Sequence, residues 1–206
     1  MNEALLFGLM TFAFVSAITP GPNNLMLMSS VMLFGARRTL PHMVGIQVGF
    51  SILMAAAVLG LGELLKILPE ARLVVKLAGS LWLFWLGARF LKEAFRQHVT
   101  QGNAPAKKAS RPFFLYEAAL FQIVNPKALI MALSSAGLYV GIADDIYHRT
   151  IIIVVTFILV GLPCSITWML LGHTLNRWLG EASHGRVVNI IMALLIFGLV
   201  ALVLLN

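Results

Sequence analysis

Two short polar stretches, each with proline next to asparagine, interrupt apolar segments of this chain. They are TPGPNN (19–24) and QIVNPK (122–127). Proline cannot donate a helical hydrogen bond, so each stretch opens backbone N–H and C=O groups that a continuous helix would pair. Open N–H groups at a helix start attract a carboxylate, and open C=O groups at a helix end accept from an ammonium group. Together the two stretches could therefore bind a dehydrated zwitterion.

Lys127, in the second stretch, is the most costly of these side chains to bury. A lysine near the centre of a bilayer costs at least about 2.5–3.5 kcal/mol, so we expect Lys127 to face a cavity or a polar partner. It could attract the carboxylate of a bound solute or exchange protons. It could instead pair with the carbonyls of the first stretch and only tie two helices together. The two interpretations are not exclusive.

Composition places the chain in a membrane. Of its 206 residues, 60% are hydrophobic and only 11% are charged, and the mean hydropathy is +0.92. Soluble domains carry about 25% charged residues, so this chain lacks the polar surface it would need in water. Its net charge of +7 comes mainly from residues between apolar runs, without the aromatic-interleaved patch of a nucleic-acid-binding protein. The single cysteine, Cys164, excludes an internal disulfide.

The apolar segments predict an all-α integral membrane protein with six transmembrane helices. A span needs about 20 mostly apolar residues, and the windows that meet this length are 4–34 (interrupted), 42–65, 72–91, 113–140, 148–172 and 186–205. The charged stretch 92–112 has no apolar periodicity and is predicted to be a solvated cytoplasmic linker. We predict one transmembrane domain, 1–206, in which this linker separates a first repeat, 1–91, from a second, 113–206.

The basic residues predict the orientation of the spans, because cytoplasmic loops carry an excess of lysine and arginine. With the N-terminus outside, the inner side collects most of them: Arg37, Arg38, Arg89, Lys92, Arg96, Lys107, Lys108, Arg111, Arg177 and Arg186. The outer side then keeps only Lys66, Arg72, Lys76 and Arg149. Both termini are therefore predicted on the outer side. Since no basic residue precedes Arg37, we expect an uncleaved first span instead of a signal peptide.

An internal repeat places the two breaks at corresponding positions of the two halves. PNNLMLMSSVMLFG (22–35) resembles PKALIMALSSAGLYVG (126–141). Three spans per half would make these inverted three-helix repeats, with the first and fourth helices antiparallel and both broken at mid-membrane. Helices interrupted at matching positions of two halves indicate the binding site of a transporter. The alternative is that proline and glycine only kink these helices, as they do in many membrane proteins.

Three motifs give the chain a resemblance to a known family. TPGPNN (19–24), the Gly-x-x-x-Gly pattern GIQVG (45–49) and NPK (125–127) resemble the LysE/RhtB amino-acid exporters, and the likeness covers the whole chain. The chain resembles the cysteine/O-acetylserine exporter branch in particular. The resemblance lies in FQIVNPKALI (121–130), in Trp168 with the Gly172-His173 pair, and in RVVNI (186–190). The resemblance implies export of amino acids from the bacterial cytoplasm across the inner membrane, driven by the proton motive force.

One position departs from the family pattern. Many members of the family follow the second-span glycine with an aspartate, whereas Phe50 stands here. No acidic residue is then expected near mid-depth, so a cationic side chain would be buried there at a large desolvation cost. The departure favours small neutral amino acids or close derivatives, of the homoserine, threonine, cysteine or O-acetylserine type, as substrates.

The predicted site combines the two breaks with polar and aromatic residues of neighbouring spans. The substrate-binding candidates are Pro20, Gly21, Pro22, Asn23, Asn24, Gln47, Phe50, Gln122, Asn125, Pro126, Lys127 and Trp168. The proton-coupling candidates are Lys127 and Glu117. The five histidines are expected at span ends or in loops, where none could act as a mid-membrane proton relay. Gly45 and Gly49 are expected to allow close helix packing.

Few function classes remain. The sequence has no HExxH, no CxxC, no paired acids at mid-depth and no glycine-rich phosphate loop, so we predict no catalytic residue, no metal and no cofactor. A channel would need a selectivity filter or rings of like charge, which the sequence lacks. The predicted partners are an amino-acid substrate, protons and the lipid bilayer, without nucleic acid, and a homo-oligomer is left open. A non-transporting membrane scaffold or helper subunit remains the alternative.

Overall fold

The computed structural model describes residues 3–61 and 111–179 continuously, together with single residues within 77–95 and 190–201. The continuous parts form the helices α1 (Glu3–Ile18), α2 (Pro22–Phe34), α3 (Ala36–Ala56), α4 (Leu115–Val124), α5 (Pro126–Leu138) and α6 (Ile146–Leu179). A π-helical turn, Ala57–Leu61, follows α3, and a 3₁₀ turn, Val140–Ile142, follows α5. The described residues contain no strand, which agrees with the predicted all-α class.

The first and fourth predicted spans are both broken where the proline-containing stretches lie. α1 and α2 meet at an angle of 49°, and α4 and α5 meet at 67°. Pro22 and Pro126 occupy the first turns of α2 and α5. A missing N–H has no cost there, because the first N–H groups of a helix have no partner within it. The prediction of two helix breaks at these positions is confirmed.

The described residues carry between two and four candidate membrane spans by length and composition. α3 with part of the following turn (Ala36–Gly60) and most of α6 (Ile146–Leu175) qualify as single helices, with mean hydropathies of 2.0 and 2.4. Each bent pair, α1 with α2 and α4 with α5, also qualifies when it is taken as one span. The predicted spans 72–91 and 186–205 and the predicted linker 92–112 lie mostly outside the described residues.

α3 begins earlier than the apolar pattern indicated. Only Gly35 separates it from α2, and α3 already starts at Ala36 instead of near residue 42. Gly35 has a φ angle of +81°, a left-handed conformation that other residues rarely adopt. The polar start of α3 packs inside the fold, because the buried Thr39 hydroxyl lies 3.0 Å from that of Ser30 in α2. Hydropathy alone did not detect this first turn and a half.

Two pairs of helices pack with their backbones in contact. A Cβ atom at Gly45 of α3 would collide with the carbonyl oxygen of Leu115 in α4, and one at Gly49 would collide with α4 one turn further along. In the same way, a Cβ atom at Gly172 of α6 would collide with the backbone of Met28 in α2. Because glycine has no side chain, α3 can pack closely against α4, as expected for the Gly-x-x-x-Gly pattern, and α6 can pack closely against α2.

The largest buried apolar cluster joins α1, α3, α5 and α6. At its centre lie Leu9, Ala13, Leu53, Met54, Ala128, Ala132, Ile153 and Phe157. Phe157 packs edge-on against Phe50 of α3, with their ring centroids 5.4 Å apart. Because Ala128, Phe50 and Phe157 also line the cavity described next, this core borders the helix breaks directly.

Candidate functional site

The two helix breaks meet at one cavity, which α3 and α6 close from the other sides. The space within it, including the part that is open to the outside, is about 540 Å³. The first break contributes Gly21, Pro22 and Asn23 to the wall, and the second contributes Asn125 and Lys127. The opened backbone of both halves therefore borders a single space that could hold a small solute.

Protein donors cover the carbonyl groups at the end of α1. The Trp168 indole donates from Nε1 to the carbonyl oxygen of Ile18 at 3.1 Å. The Asn24 side chain donates to the carbonyl oxygens of Ala17, at 2.8 Å, and of Thr19, at 2.9 Å. The sequence predicted that these carbonyls would be open to a ligand's ammonium group. In this structure they are already bonded, because residues from α2 and α6 reach them.

Lys127 reaches from α5 across to the first break. Its Nζ donates to the carbonyl oxygen of Thr19 at 2.7 Å and to the Thr19 hydroxyl at 3.0 Å, and it lies 3.4 Å from the carbonyl oxygen of Pro20. A Cβ atom at Gly21 would lie 2.7 Å from Cδ of Lys127. The absence of a side chain at Gly21 therefore makes room for the lysine. This geometry matches the interpretation that Lys127 ties the two halves, and its effect on a ligand's carboxylate stays a prediction.

The two helix starts at the cavity differ in how they are capped. Oδ1 of Asn125 accepts from the backbone N–H of Lys127 at 3.2 Å, so α5 carries its own side-chain cap. α2 begins at Pro22 without a side-chain cap. The backbone N–H groups of Asn23 and Asn24 therefore have no side-chain acceptor among the described residues. Of the two starts, α2 has the more open amides for an anionic group.

A reciprocal amide pair joins the two breaks behind the cavity wall. Asn23 donates from Nδ2 to Oε1 of Gln122 at 2.8 Å, and Gln122 donates from Nε2 to Oδ1 of Asn23 at 3.1 Å. Gln122 is fully buried and also donates to the carbonyl oxygen of Ala118 at 2.9 Å. These bonds link α2 to α4 next to the cavity.

The structure brings most of the predicted site residues together. Those that line the cavity are Gly21, Pro22, Asn23, Asn24, Gln47, Phe50, Asn125 and Lys127. The lining does not include Pro20, Gln122, Pro126 or Trp168, which lie at the breaks or bond to residues there. Glu117 is placed elsewhere, in the first turn of α4.

Glu117 forms an ion pair instead of facing the cavity. Its carboxylate accepts from both terminal nitrogens of Arg111, at 2.7 and 2.9 Å, and from the backbone N–H of Phe114 at 2.8 Å. The hydrogen bond to Glu117 raises the pKa of Arg111. These contacts secure the start of α4, and the proton-coupling role predicted for Glu117 stays untested.

Three α6 residues at the cavity, Phe157, Gly161 and Ser165, were not included among the predicted site residues, whereas Trp168 on the same face was. Ser165 and Gly161 line the cavity together with Phe157. Ser165 accepts a hydrogen bond from Nε2 of Gln47 at 3.1 Å. Phe157, Gly161, Ser165 and Trp168 follow one another at intervals of four, four and three residues, which is the spacing of one helix face. Small and polar residues at that spacing in an apolar helix were the signal available in the sequence.

His42 is buried inside the helical fold. It lies in the second turn of α3, is 1% exposed and packs against Phe113 with ring centroids 5.2 Å apart. Neither ring nitrogen has a hydrogen-bond partner among the described residues. The sequence placed this histidine at a span end, because the predicted span began at residue 42. The earlier start of α3 explains the difference.

We expect His42→Leu to stabilise the protein. Two buried ring nitrogens without partners are unfavourable, and leucine removes both while it fills similar space, so the free energy of unfolding should rise by about 1–3 kcal/mol. Thermal melting in detergent measures the change. His148→Leu is the matched control, since that histidine is exposed and should shift the melting temperature little. A lower melting temperature for His42→Leu would show that the imidazole has a partner.

Comparison with known proteins identifies the family. The profile of the LysE type translocators matches residues 14–206. The chain belongs to the LysE family. This LysE-family protein is thus a transporter and not an enzyme, as the motifs at the two breaks predicted.

Two relatives illustrate how similar other proteins are to this LysE-family chain. It is 26% identical over 196 residues to a cysteine/O-acetylserine efflux protein of Salmonella paratyphi A, covering 95% of each chain. It is 25% identical over 197 residues to the protein of the same description from Escherichia coli K12, again over 95% of each chain. No solved structure matches.

Proposed function

We propose that this protein is a secondary transporter that exports small neutral amino acids or close derivatives from the bacterial cytoplasm. One observation carries the proposal: the opened backbone of two broken helices borders a single cavity, with Lys127 as its cation. The relatives described as cysteine/O-acetylserine efflux proteins support the same substrate type. Homoserine, threonine, cysteine and O-acetylserine are the representative candidates.

The substrate carboxylate is assigned to the start of α2. The uncapped N–H groups of Asn23 and Asn24 and the positive end of the helix dipole favour an anion there. Nζ of Lys127 would lie 3.1 Å from a Cβ atom at Gly21, the residue that caps this helix start. Lys127 and the α2 amides can therefore bind the same carboxylate.

The substrate ammonium group is assigned to the carbonyl oxygens of Thr19 and Pro20. Lys127 occupies them in this structure, so we propose an exchange between two ammonium groups. The amine of the substrate takes the carbonyls, and Lys127 moves to the carboxylate that arrives with it. Every charge keeps a partner in this exchange, which a dry site requires.

The cavity favours neutral side chains. None of the described residues that line it is acidic. A substrate with a second ammonium or a guanidinium group would therefore have no counter-charge and would be desolvated at high cost.

Export is proposed to proceed by alternating access of two inverted three-helix repeats, residues 1–91 and 113–206. The protein would sit in the inner membrane with both termini outside and with residues 92–112 in the cytoplasm. The proton motive force is the proposed energy source, with Lys127 and Glu117 as the residues to test for proton coupling.

Overexpression tests the proposal most directly. Cells that produce the protein should release one or more small neutral amino acids into the medium, and an uncoupler should suppress the release. Cells that carry the empty vector provide the baseline. If no amino acid is released above that baseline, the transport proposal is wrong and the scaffold alternative is favoured.

A further inference from the structure

We propose that Gln47 and Ser165 form the subsite that selects the substrate side chain, and that Gly161 sets its size. This inference rests on the proposed transport of neutral amino acids. It assigns to two residues outside the helix breaks the task of distinguishing a side chain with a hydroxyl or thiol from an apolar one.

Gln47 and Ser165 face each other across the cavity wall. Gln47 comes from α3 and Ser165 from α6, and Nε2 of Gln47 donates to the Ser165 hydroxyl oxygen at 3.1 Å. Both residues line the cavity, and Ser165 is 5% exposed. Neither of them belongs to the breaks that are assigned to the charged groups of the substrate. The pair is therefore available for the third part of an amino acid, its side chain.

The pair retains at least one acceptor and one donor. Oε1 of Gln47 has no hydrogen-bond partner among the described residues, and the Ser165 hydroxyl can still donate its hydrogen. If Ser165 instead donates to the amide oxygen, the Gln47 NH₂ group and the Ser165 oxygen remain, so the pair again has a donor and an acceptor. In either arrangement the cavity wall offers a hydrogen-bond donor and an acceptor next to each other.

A hydroxyl or a thiol on a short side chain complements this pair, because such a group donates and accepts through one atom. A methyl group of the same size would leave the acceptor and the donor of the wall unpaired. Sites built around a hydrogen bond to substrate reject analogues that lack it far more strongly than apolar sites reject one methylene group. Discrimination is therefore expected between isosteric substrates.

Gly161 keeps space open next to the pair. It lies one turn before Ser165 on α6, and a Cβ atom there would lie 3.5 Å from Oε1 and 3.7 Å from Nε2 of Gln47. These are ordinary contact distances, so alanine fits at this position without displacing Gln47. Its methyl group would, however, fill the space beside the pair, so the subsite would accept only shorter substrate side chains.

The test measures substrate preference in inverted membrane vesicles. Uptake of serine is compared with that of 2-aminobutyrate, and uptake of threonine with that of valine, since each pair exchanges a hydroxyl for a methyl group. The variants are Gln47→Met, Ser165→Ala, the double variant and Ser165→Thr. Because each preference is a ratio within one preparation, partial loss of folded protein does not affect it.

The wild-type protein should prefer the hydroxyl compound of each pair. Loss of one hydrogen bond should lower the preference about tenfold in Gln47→Met and in Ser165→Ala. The preference of the double variant should fall at least as far as that of either single variant, because both hydrogen-bonding groups are then lost. Ser165→Thr keeps the hydroxyl and should keep the preference.

Gly161→Ala tests the size limit. The uptake of homoserine relative to serine should fall about tenfold, as expected when a pocket loses the space of one methylene group. Gly137→Ala is the matched control, because a Cβ atom at Gly137 of α5 would meet nothing within 4 Å. It should leave the ratio unchanged.

The outcomes separate the two proposals. Wild-type vesicles that take up no amino acid contradict the proposed function itself. If the wild-type protein takes up amino acids without preferring the hydroxyl compounds, the proposed Gln47–Ser165 subsite is wrong, although the transport proposal is not. The same conclusion follows if neither Gln47→Met nor Ser165→Ala lowers the preference. A homoserine-to-serine ratio that does not change in Gly161→Ala overturns the role of Gly161.

Discussion

Replacing Lys127 with methionine is expected to lower export about 100-fold, because it removes the partly buried ammonium group that serves both the carbonyls of the first break and the substrate carboxylate. The protein should still insert into the membrane. Lys127 is the only charged side chain among the described residues that line the cavity. Methionine keeps much of its length and apolar stem but cannot donate to Thr19 or Pro20. The substrate carboxylate would then have only the α2 amides as partners, and the exchange of ammonium groups would be lost.

Uptake of a labelled neutral amino acid into inverted vesicles measures this effect. Lys92→Met is the matched control, since Lys92 is exposed in the structure and should leave uptake within about twofold, as is usual for surface changes. Melting in detergent checks that the Lys127 variant is folded. A folded Lys127→Met protein with normal uptake would show that the lysine only ties the two halves together.

Replacing Pro20, Pro22 and Pro126 together with alanine is expected to reduce transport to the background of cells without the protein. Alanine restores three N–H groups and removes the penalty of about 3 kcal/mol that each proline would impose inside a continuous helix. The bends of 49° and 67° should then decrease, and the backbone groups that border the cavity should pair within straight helices. The protein should still insert, because its spans become more regular.

Pro41→Ala with Pro163→Ala provides the control for the triple variant. These prolines lie inside α3 and α6, are exposed and do not line the cavity. Both the control and the triple variant should appear in the membrane at similar levels, as measured by immunoblotting of membrane fractions. If the triple variant transports normally, the open backbone is not the binding device.

Local chemistry explains what could be predicted from the sequence. Pro22 and Pro126 act within their own helices, so their effect on the backbone follows from a few neighbouring residues. The same applies to Gly45 and Gly49, whose spacing alone indicates a close helix contact. These features required no knowledge of which helices are neighbours.

Contacts between distant segments explain what could not be predicted. The bond from Gln47 to Ser165 and the bond from Trp168 to the Ile18 carbonyl depend on how α6 packs against α3 and α1. A sequence pattern gives the face of a helix but not the partner of that face. For the same reason the α1 carbonyls were expected to be open, although Trp168 and Asn24 donate to them.

The glycine contacts divide four of the described helices into two interlocked units, α3 with α4 and α2 with α6. Interlocked backbones resist sliding, whereas hydrogen bonds between side chains exchange for water at small cost. Two contacts of that exchangeable kind join the units at the cavity, Asn23 with Gln122 and Gln47 with Ser165. We therefore expect the opening that admits a solute to form at these two hydrogen-bonded contacts, each of which joins one half of the chain to the other.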